Sequence, residues 1–155
     1  MNIFQKFYLT FLVIFLASCS SVSTDRTNDA TAISASATGA YSDGGITSNN
    51  VLYFAYDRSD INSAGRAKIR NLAKMIKDND LSVRVEGHCD ERGTREYNLA
   101  LGERRANAAK DYLMTYGISS DRISVLSYGK ERPVDSGSNP LAWSKNRRSV
   151  TVKAN

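Results

Sequence analysis

Three patterns of hydrophobic and polar positions follow one another along the chain. The first is an apolar run of eleven residues, Phe7-Tyr8-Leu9-Thr10-Phe11-Leu12-Val13-Ile14-Phe15-Leu16-Ala17, preceded by Lys6. Its length is too short to cross a hydrocarbon core of roughly 30 Å as a helix, and it matches the h-region of an export signal. The second, residues 20–50, is dominated by Ser, Thr, Ala, Asn, Asp and Gly. Val22, Ile33, Tyr41 and Ile46 stand isolated in it, and no period emerges. That composition predicts a tether rather than a fold. The third pattern begins at Val51 and runs to the end, switching between period 2 and period 3.6.

Within that third region Val51-Leu52-Tyr53-Phe54-Ala55-Tyr56 predicts a strand ending at Asp57. Asn62 and Ser63 are candidate caps of a helix. Ile69, Leu72, Ala73 and Ile76 recur on one of its sides, and Lys68, Arg70, Lys74 and Lys77 take the other. Leu81 to Cys89 alternates. Val83, Val85, Gly87 and Cys89 fall on one face, with Arg84, Glu86, His88 and Asp90 on the other. Gly93-Thr94 breaks that strand, and a second helix is expected from Arg95 to Tyr116, with Gly117 just past its end. Ile123–Tyr128 reads as a third strand and 129–140 as loop. A short helical turn is expected around Trp143, and Ser149–Lys153 reads as a fourth strand. The order βαβαββ predicts an α/β sandwich, two main helices on a four-stranded mixed sheet.

The chain has 155 residues, which allows one ordinary domain and some extra. Apolar residues at 41% and charged residues at 24% exclude a fully disordered chain and a multi-span membrane protein. The net charge of +5 suits an acidic partner only in a general way. One His and two Cys offer at most three zinc ligands, with no CxxC or His pair. No internal repeat is visible.

The apolar run ends at Leu16-Ala17-Ser18-Cys19, which resembles a bacterial lipobox. The resemblance implies a signal peptide over 1–18, cut before Cys19, and acylation of Cys19 with a diacylglyceryl thioether and palmitate-like chains. Residues 19–50 are then a lipidated N-terminus and tether, and 51–155 the folded domain. Two or more acyl chains hold stably, at roughly 0.8 kcal/mol per buried CH₂. Ser20, rather than an Asp, points to the outer membrane. A tether of this length has a coil size of roughly 30 Å and reaches about 100 Å when extended.

The second helix carries an anomaly. At about 100° per residue, Leu101, Ala108, Ala109, Tyr112 and Tyr116 form an apolar arc. Arg105 falls inside that arc, and Arg104 at its edge. A guanidinium there is costly unless it is paired. Asp90, at the exit of the second strand, is the natural acidic neighbour, at the end of the sheet where ligands gather in α/β folds. Two readings stand. Asp90 and Arg105 form an internal salt bridge, or they bracket a zwitterion, Asp90 holding an ammonium and Arg105 a carboxylate. His88 and Cys89 are adjacent on a strand, so they point to opposite faces and form no thiol–imidazole dyad. Cys89 reads as a buried packing residue facing away from Asp90. His88 and Asp90 alternate as two metal ligands would, but no third is at hand. Lys145-Asn146-Arg147-Arg148 reads as a solvated loop end, and the export signal places it away from nucleic acid. No catalytic residue, metal or cofactor is expected.

Longer motifs sharpen this reading. Gly87-His88-Cys89-Asp90-Glu91-Arg92-Gly93-Thr94, then Tyr97-Asn98-Leu99-Ala100-Leu101-Gly102-Glu103-Arg104-Arg105-Ala106, resemble the OmpA-like peptidoglycan-binding domain. Tyr128-Gly129-Lys130-Glu131-Arg132-Pro133 and Ser144-Lys145-Asn146-Arg147-Arg148 continue the match. The Asp-Glu-Arg-Gly-Thr variant behind a lipobox and a polar tether is similar to the peptidoglycan-associated lipoproteins. The resemblance implies non-covalent binding of the peptidoglycan stem peptide, centred on meso-diaminopimelate, with no enzymatic activity. Asp90 would take its ammonium and Arg105 its carboxylate. Leu101, Tyr56 and Asp57 would line the same pocket, and Asn98 would brace the helix start. It also implies a periplasmic domain, membership of the Tol-Pal system with TolB and other Tol proteins as partners, and a part in envelope integrity and cell division. Cys89 stands where the family usually has Thr or Ala. The alternatives are an OmpA-like lipoprotein outside the Tol system and a periplasmic lipoprotein enzyme using His88, Asp90 or Cys89.

Cys19→Ala is expected to abolish lipidation and move the protein out of the membrane fraction. Incorporation of labelled palmitate measures this, and label still entering the variant would contradict it.

Overall fold

Asn62, Thr94 and Asn139 each start a helix in the same way. Their side-chain oxygens accept hydrogen bonds from the backbone N–H three residues on, at 2.8, 3.2 and 3.0 Å. The computed structural model describes residues 50–154, so the lipobox, Cys19 and most of the tether lie outside the described residues. The elements are β1 (Val51–Tyr53), α1 (Ser63–Asp78), β2 (Val83–His88), α2 (Arg95–Thr115), β3 (Ile123–Gly129), α3 (Pro140–Asn146) and β4 (Arg148–Lys153). A 3-10 turn at Ser120–Arg122, not foreseen from the sequence, leads into β3. Among the described residues no helix is long and apolar enough to cross a membrane.

The strands lie in the order β1-β4-β2-β3. β4 runs antiparallel to both β1 and β2, while β2 and β3 are parallel. A parallel pair needs a crossover, and α2 supplies it. This is the expected four-stranded mixed sheet with two main helices. The apolar stripe of α1, Ile69, Leu72, Ala73 and Ile76, is buried as its period predicts. It joins Leu52, Phe54, Val83, Val85, Ala106, Ala109, Leu113 and Ile123 in one core. Each fully buried Ile or Leu there contributes roughly 1.5–3 kcal/mol relative to exposure. Helix α2 ends with Gly117 at φ 84°, where Ile118 N–H donates to Leu113 O at 3.1 Å, the bond typical of this cap.

α2 crosses β2 at very short range. A Cβ placed on Gly87 would lie 1.8 Å from the Gly102 carbonyl oxygen, so only glycine permits the approach. The contact sets the first turns of α2 directly over the exit of β2.

Most boundaries move by one or two residues, and two of the differences bear on the site. The strand expected over 51–56 stops at Tyr53, because the chain turns at Tyr56-Asp57, with Asp57 at φ 55°. Strand β2 ends at His88 rather than Cys89, and its register with β3 shifts between Gly87 and His88. A register irregularity breaks the period of two. Gly87, His88, Cys89 and Asp90 are accordingly all buried.

The His88 ring is buried and stacks at 5.4 Å on Tyr128, and among the described residues neither ring nitrogen has a close hydrogen-bond partner. Burial, followed by the Arg148 guanidinium, pushes its pKa from 6.5 down to about 3. The folded protein therefore keeps His88 neutral where the unfolded chain protonates it. The stability linked to this group is complete above pH 6.5 and is lost as pH falls from there towards 3. The loss is at most about 1.4 kcal/mol per pH unit. Denaturant titrations of wild type and His88→Phe, compared between pH 7 and 4, are expected to show wild type losing ground as the pH drops. A difference that stays flat over that range would contradict this.

Candidate functional site

Three segments converge at the end of β2: the turn after β1, the loop Cys89–Thr94 and the first turns of α2. With Arg147 they line an open cavity of about 390 Å³. The six residues singled out from the sequence, Tyr56, Asp57, Asp90, Asn98, Leu101 and Arg105, all line it. The structure thus brings them together from three separate elements.

Arg105 is fully buried, with 0% exposure, and meets no carboxylate among the described residues. Its Nε donates to Arg58 O at 2.9 Å, Nη2 to Ala55 O at 3.1 Å, and Nη1 to His88 O at 2.9 Å and Cys89 Sγ at 3.3 Å. Its guanidinium also lies 5.2 Å from the Phe54 ring centre. A guanidinium has five N–H donors, so one on Nη2 has no acceptor among the described residues. Burial pulls the Arg105 pKa below its ordinary value, but arginine stays charged in any case. The internal salt bridge with Asp90, one of the two readings above, is not formed. Backbone carbonyls of the turn after β1 and of the last residue of β2 hold the cation instead, which no pattern of side chains announces. Arg104, at the edge of the same arc, is exposed.

Asp90 is also buried, at 4% exposure. Arg92 grips it, giving its backbone N and Nε to Oδ1 at 3.1 Å each and its Nη2 to Oδ2 at 2.7 Å. Arg147 Nη1 reaches Oδ2 at 3.4 Å. Burial raises the Asp90 pKa, and the hydrogen bonds from Arg92 and Arg147 outweigh it, so the carboxyl titrates below its ordinary value. On the rim, the Tyr97 hydroxyl donates to Asp57.

Asn98 Nδ2 donates to the carbonyls of Arg92 at 2.9 Å and Thr94 at 3.1 Å, so it ties the loop to the start of α2. Cys89 is buried, as expected, but it does not face away from Asp90. Its Sγ donates to Asn98 O at 3.3 Å and touches Arg105, and it lines the same cavity. The register shift after Gly87 is the reason, because strict alternation no longer applies beyond it. Burial raises the Cys89 thiol pKa.

Sequence reasoning missed Arg92 and Arg147 as site residues. Arg147 was read within a solvated loop end, yet Asn146 and Arg147 are held inward. Asn146 Oδ1 accepts from Val134 N and Asp135 N at 2.8 and 3.1 Å, and Arg147 Nε donates to Phe54 O at 3.0 Å. The available signal for Arg92 was its place two residues after Asp90 in a turn. The cavity thus holds three guanidiniums beside one buried carboxylate, a balance that favours anions while keeping one acidic contact. Among the described residues, no three His, Cys, Asp or Glu side chains group to hold a metal.

Residues 53–147, more than half of the chain, match the profile of the OmpA family. A peptidoglycan-associated lipoprotein from Pseudomonas putida is 40% identical over 157 residues, covering 94% of each chain. The chain belongs to the peptidoglycan-associated lipoproteins of the OmpA family. A lipoprotein of the same name from Pseudomonas aeruginosa is 48% identical over 97 residues, 63% of this chain and 58% of that one. Among solved structures, the peptidoglycan-associated lipoprotein of Burkholderia pseudomallei aligns with a TM-score of 0.66 at 34% identity, over 68% of this chain and 90% of that one. The C-terminal domain of Helicobacter pylori MotB aligns with a TM-score of 0.62 at 22% identity, over 67% of this chain and 82% of that one, and shares the fold.

Membership in this family leaves Arg105 with a structural task that can be measured. Arg105→Ala would take the side-chain donor from three carbonyls at a buried junction, leaving Ala55 O only the Arg58 N–H at 3.3 Å, at roughly 1–3 kcal/mol for each carbonyl left unpaired. Urea denaturation is expected to show a loss of about 3 kcal/mol or more. Arg105→Lys should recover only part of it, because a single ammonium cannot copy the planar fork. An Arg105→Ala variant as stable as wild type would contradict the tie.

Proposed function

We propose that this lipoprotein binds the stem peptide of peptidoglycan non-covalently in the cavity between β2 and α2, and so tethers the outer membrane to the cell wall. The observation that carries the reading is the placement of Asp90 and Arg105 in one cavity with no bond between them. Each charge can then meet the opposite charge of a ligand. A carbon bearing both an ammonium and a carboxylate, as in meso-diaminopimelate, matches that pair. The ammonium would sit on Asp90 and the carboxylate on the unspent N–H of Arg105, with Leu101 beside the aliphatic chain. Tyr56 and Asp57 form the wall on the β1 side, and Asn98 holds the loop in place. The names of the relatives support the ligand class.

Around this domain we infer a signal peptide over 1–18, acylated Cys19, and a tether to residue 50. The anchor would lie in the outer membrane and the domain in the periplasm. We further read the chain as a member of the Tol-Pal system acting in cell division, with TolB among its partners. The role is binding without catalysis. The Cys89 thiol has its pKa raised and sits against a guanidinium and a carbonyl, and the His88 ring packs on Tyr128 instead of lining the cavity. Neither arrangement supplies a nucleophile with a positioned base.

Asp90→Ala is the direct test, since Arg105 also holds the fold together. Loss of one partner of a buried charge pair costs roughly 2–5 kcal/mol, which is about 30- to 4,000-fold in affinity. Co-pelleting with isolated sacculi is expected to drop by that order while the variant still melts cooperatively. Undiminished co-pelleting would refute the role of Asp90.

A further inference from the structure

The carboxylate assigned to the ligand's ammonium is already occupied in the free protein. Arg92 holds both oxygens of Asp90 through its backbone N, Nε and Nη2. The same guanidinium lies 4.1 Å from the ring centre of Tyr56 and 4.1 Å from that of Trp143. A planar cation is therefore sandwiched between two aromatic rings at the cavity mouth.

The surroundings of Arg92 are fastened by other residues, while its guanidinium is held through Asp90 and the two rings. Lys130 Nζ donates to the carbonyls of Glu91 and Gly93 at 3.2 and 2.7 Å, pinning the loop backbone on both sides of Arg92. Glu91 accepts from Trp143 Nε1 and Ser138 Oγ, each at 2.9 Å, which fixes one of the two rings. Among the described residues the Arg92 guanidinium bonds only Asp90, and 33% of the side chain is exposed. Arg147, the second cation on Asp90, is 16% exposed and is also tied to the Phe54 carbonyl. Of the two, Arg92 is the one free to leave.

We infer that Arg92 is a built-in stand-in for the cationic end of the ligand, which closes the Asp90 subsite in the free protein and is displaced when an ammonium arrives. This rests on the proposed binding of a zwitterionic stem peptide. Asp90 already accepts two hydrogen bonds on each oxygen, which fills the four lone-pair sites of a carboxylate, so a ligand ammonium has to displace the Arg92 guanidinium to bind there. The free protein therefore binds with an affinity lowered by the fraction of time that Asp90 is closed. A ligand lacking the cation has nothing to exchange for the Arg92 contact. Arg92 thus acts as a specificity residue: it avoids an unpaired buried carboxylate in the free state and rejects ligands that cannot replace it.

The test uses the full-length protein and two probes, the tripeptide L-Ala-γ-D-Glu-meso-diaminopimelate and the same peptide acetylated on its distal amine. The variant is Arg92→Met, which keeps the stem between the rings and removes the charge; Arg92→Gln serves as a second variant, and both are checked by thermal melting. Affinity of the variants for the free-amine peptide is expected to rise about tenfold, with no gain for the acetylated one. The chain has one tryptophan, Trp143, so its emission reports departure of the guanidinium from its face. Binding of the free-amine peptide should shift that emission in wild type and shift it less in Arg92→Met. Equal or weaker binding by both variants, with binding still lost in Asp90→Ala, would overturn the stand-in and leave the binding reading intact. A wild-type protein that binds neither peptide, or binding that survives Asp90→Ala, would overturn the binding reading and this inference with it.

Discussion

The bond that the rest of the structure depends on is the Arg105 guanidinium gathering carbonyl oxygens from Ala55, Arg58 and His88. Ala55 and Arg58 lie in the turn after β1 and His88 is the last residue of β2, two strands that do not neighbour each other, since β4 lies between them. A chain leaving a strand normally gives its free carbonyls to water. Here one side chain from α2 takes them, which locks the turn after β1, the exit of β2 and the helix into one junction. Hydrogen bonds to a charged donor contribute roughly 1.5–3 kcal/mol each, so a cation without a counter-ion is retained in a dry place. The cavity opens at that junction, lined by the same three segments.

Two backbone features allow the tie. The Gly87–Gly102 approach brings α2 onto β2 closely enough for an arginine one turn further on to reach the strand's last carbonyl. The register shift after Gly87 then turns both Cys89 and Asp90 to the cavity side. A regular strand would have placed only one of them there. The site is therefore built by a local break in the sheet, in keeping with the tendency of irregular strands to sit beside functional centres.

The pattern of side chains made much of this legible. The stripe of α1 and the alternation of Val83 and Val85 predicted the core, the cap candidates Asn62 and Ser63 predicted where α1 starts, and the break at Gly93-Thr94 where α2 does. Arg105 stood out because a charge on an apolar arc has to be answered by something. What answers it was not legible, because carbonyl oxygens are carried by every residue and leave no mark in the sequence. The Cys89 orientation failed for a related reason: a bulge shifts phase without changing residue types. Arg147 failed because its neighbours Lys145 and Arg148 gave it the look of a charged surface run. The burial of Asn146 beneath the loop at Val134 and Asp135 is a long-range contact that periodicity does not report.

The two ends of the cavity consequently differ in kind. At the Arg105 end the cation is held by main chain and by Phe54, so its position is a property of the fold and its charge cannot be screened by movement. At the Asp90 end the acid is held by side chains, one of them a third exposed. A ligand carboxylate would meet a donor already in place, with little reorganisation. A ligand ammonium would exchange with a guanidinium of the same charge, so the net charge around Asp90 would not change on binding. Exchange of like for like adds little affinity by itself. Discrimination between ligands should therefore be concentrated at the cationic end, and the strength of holding at the anionic end, where the donor geometry is fixed before the ligand arrives.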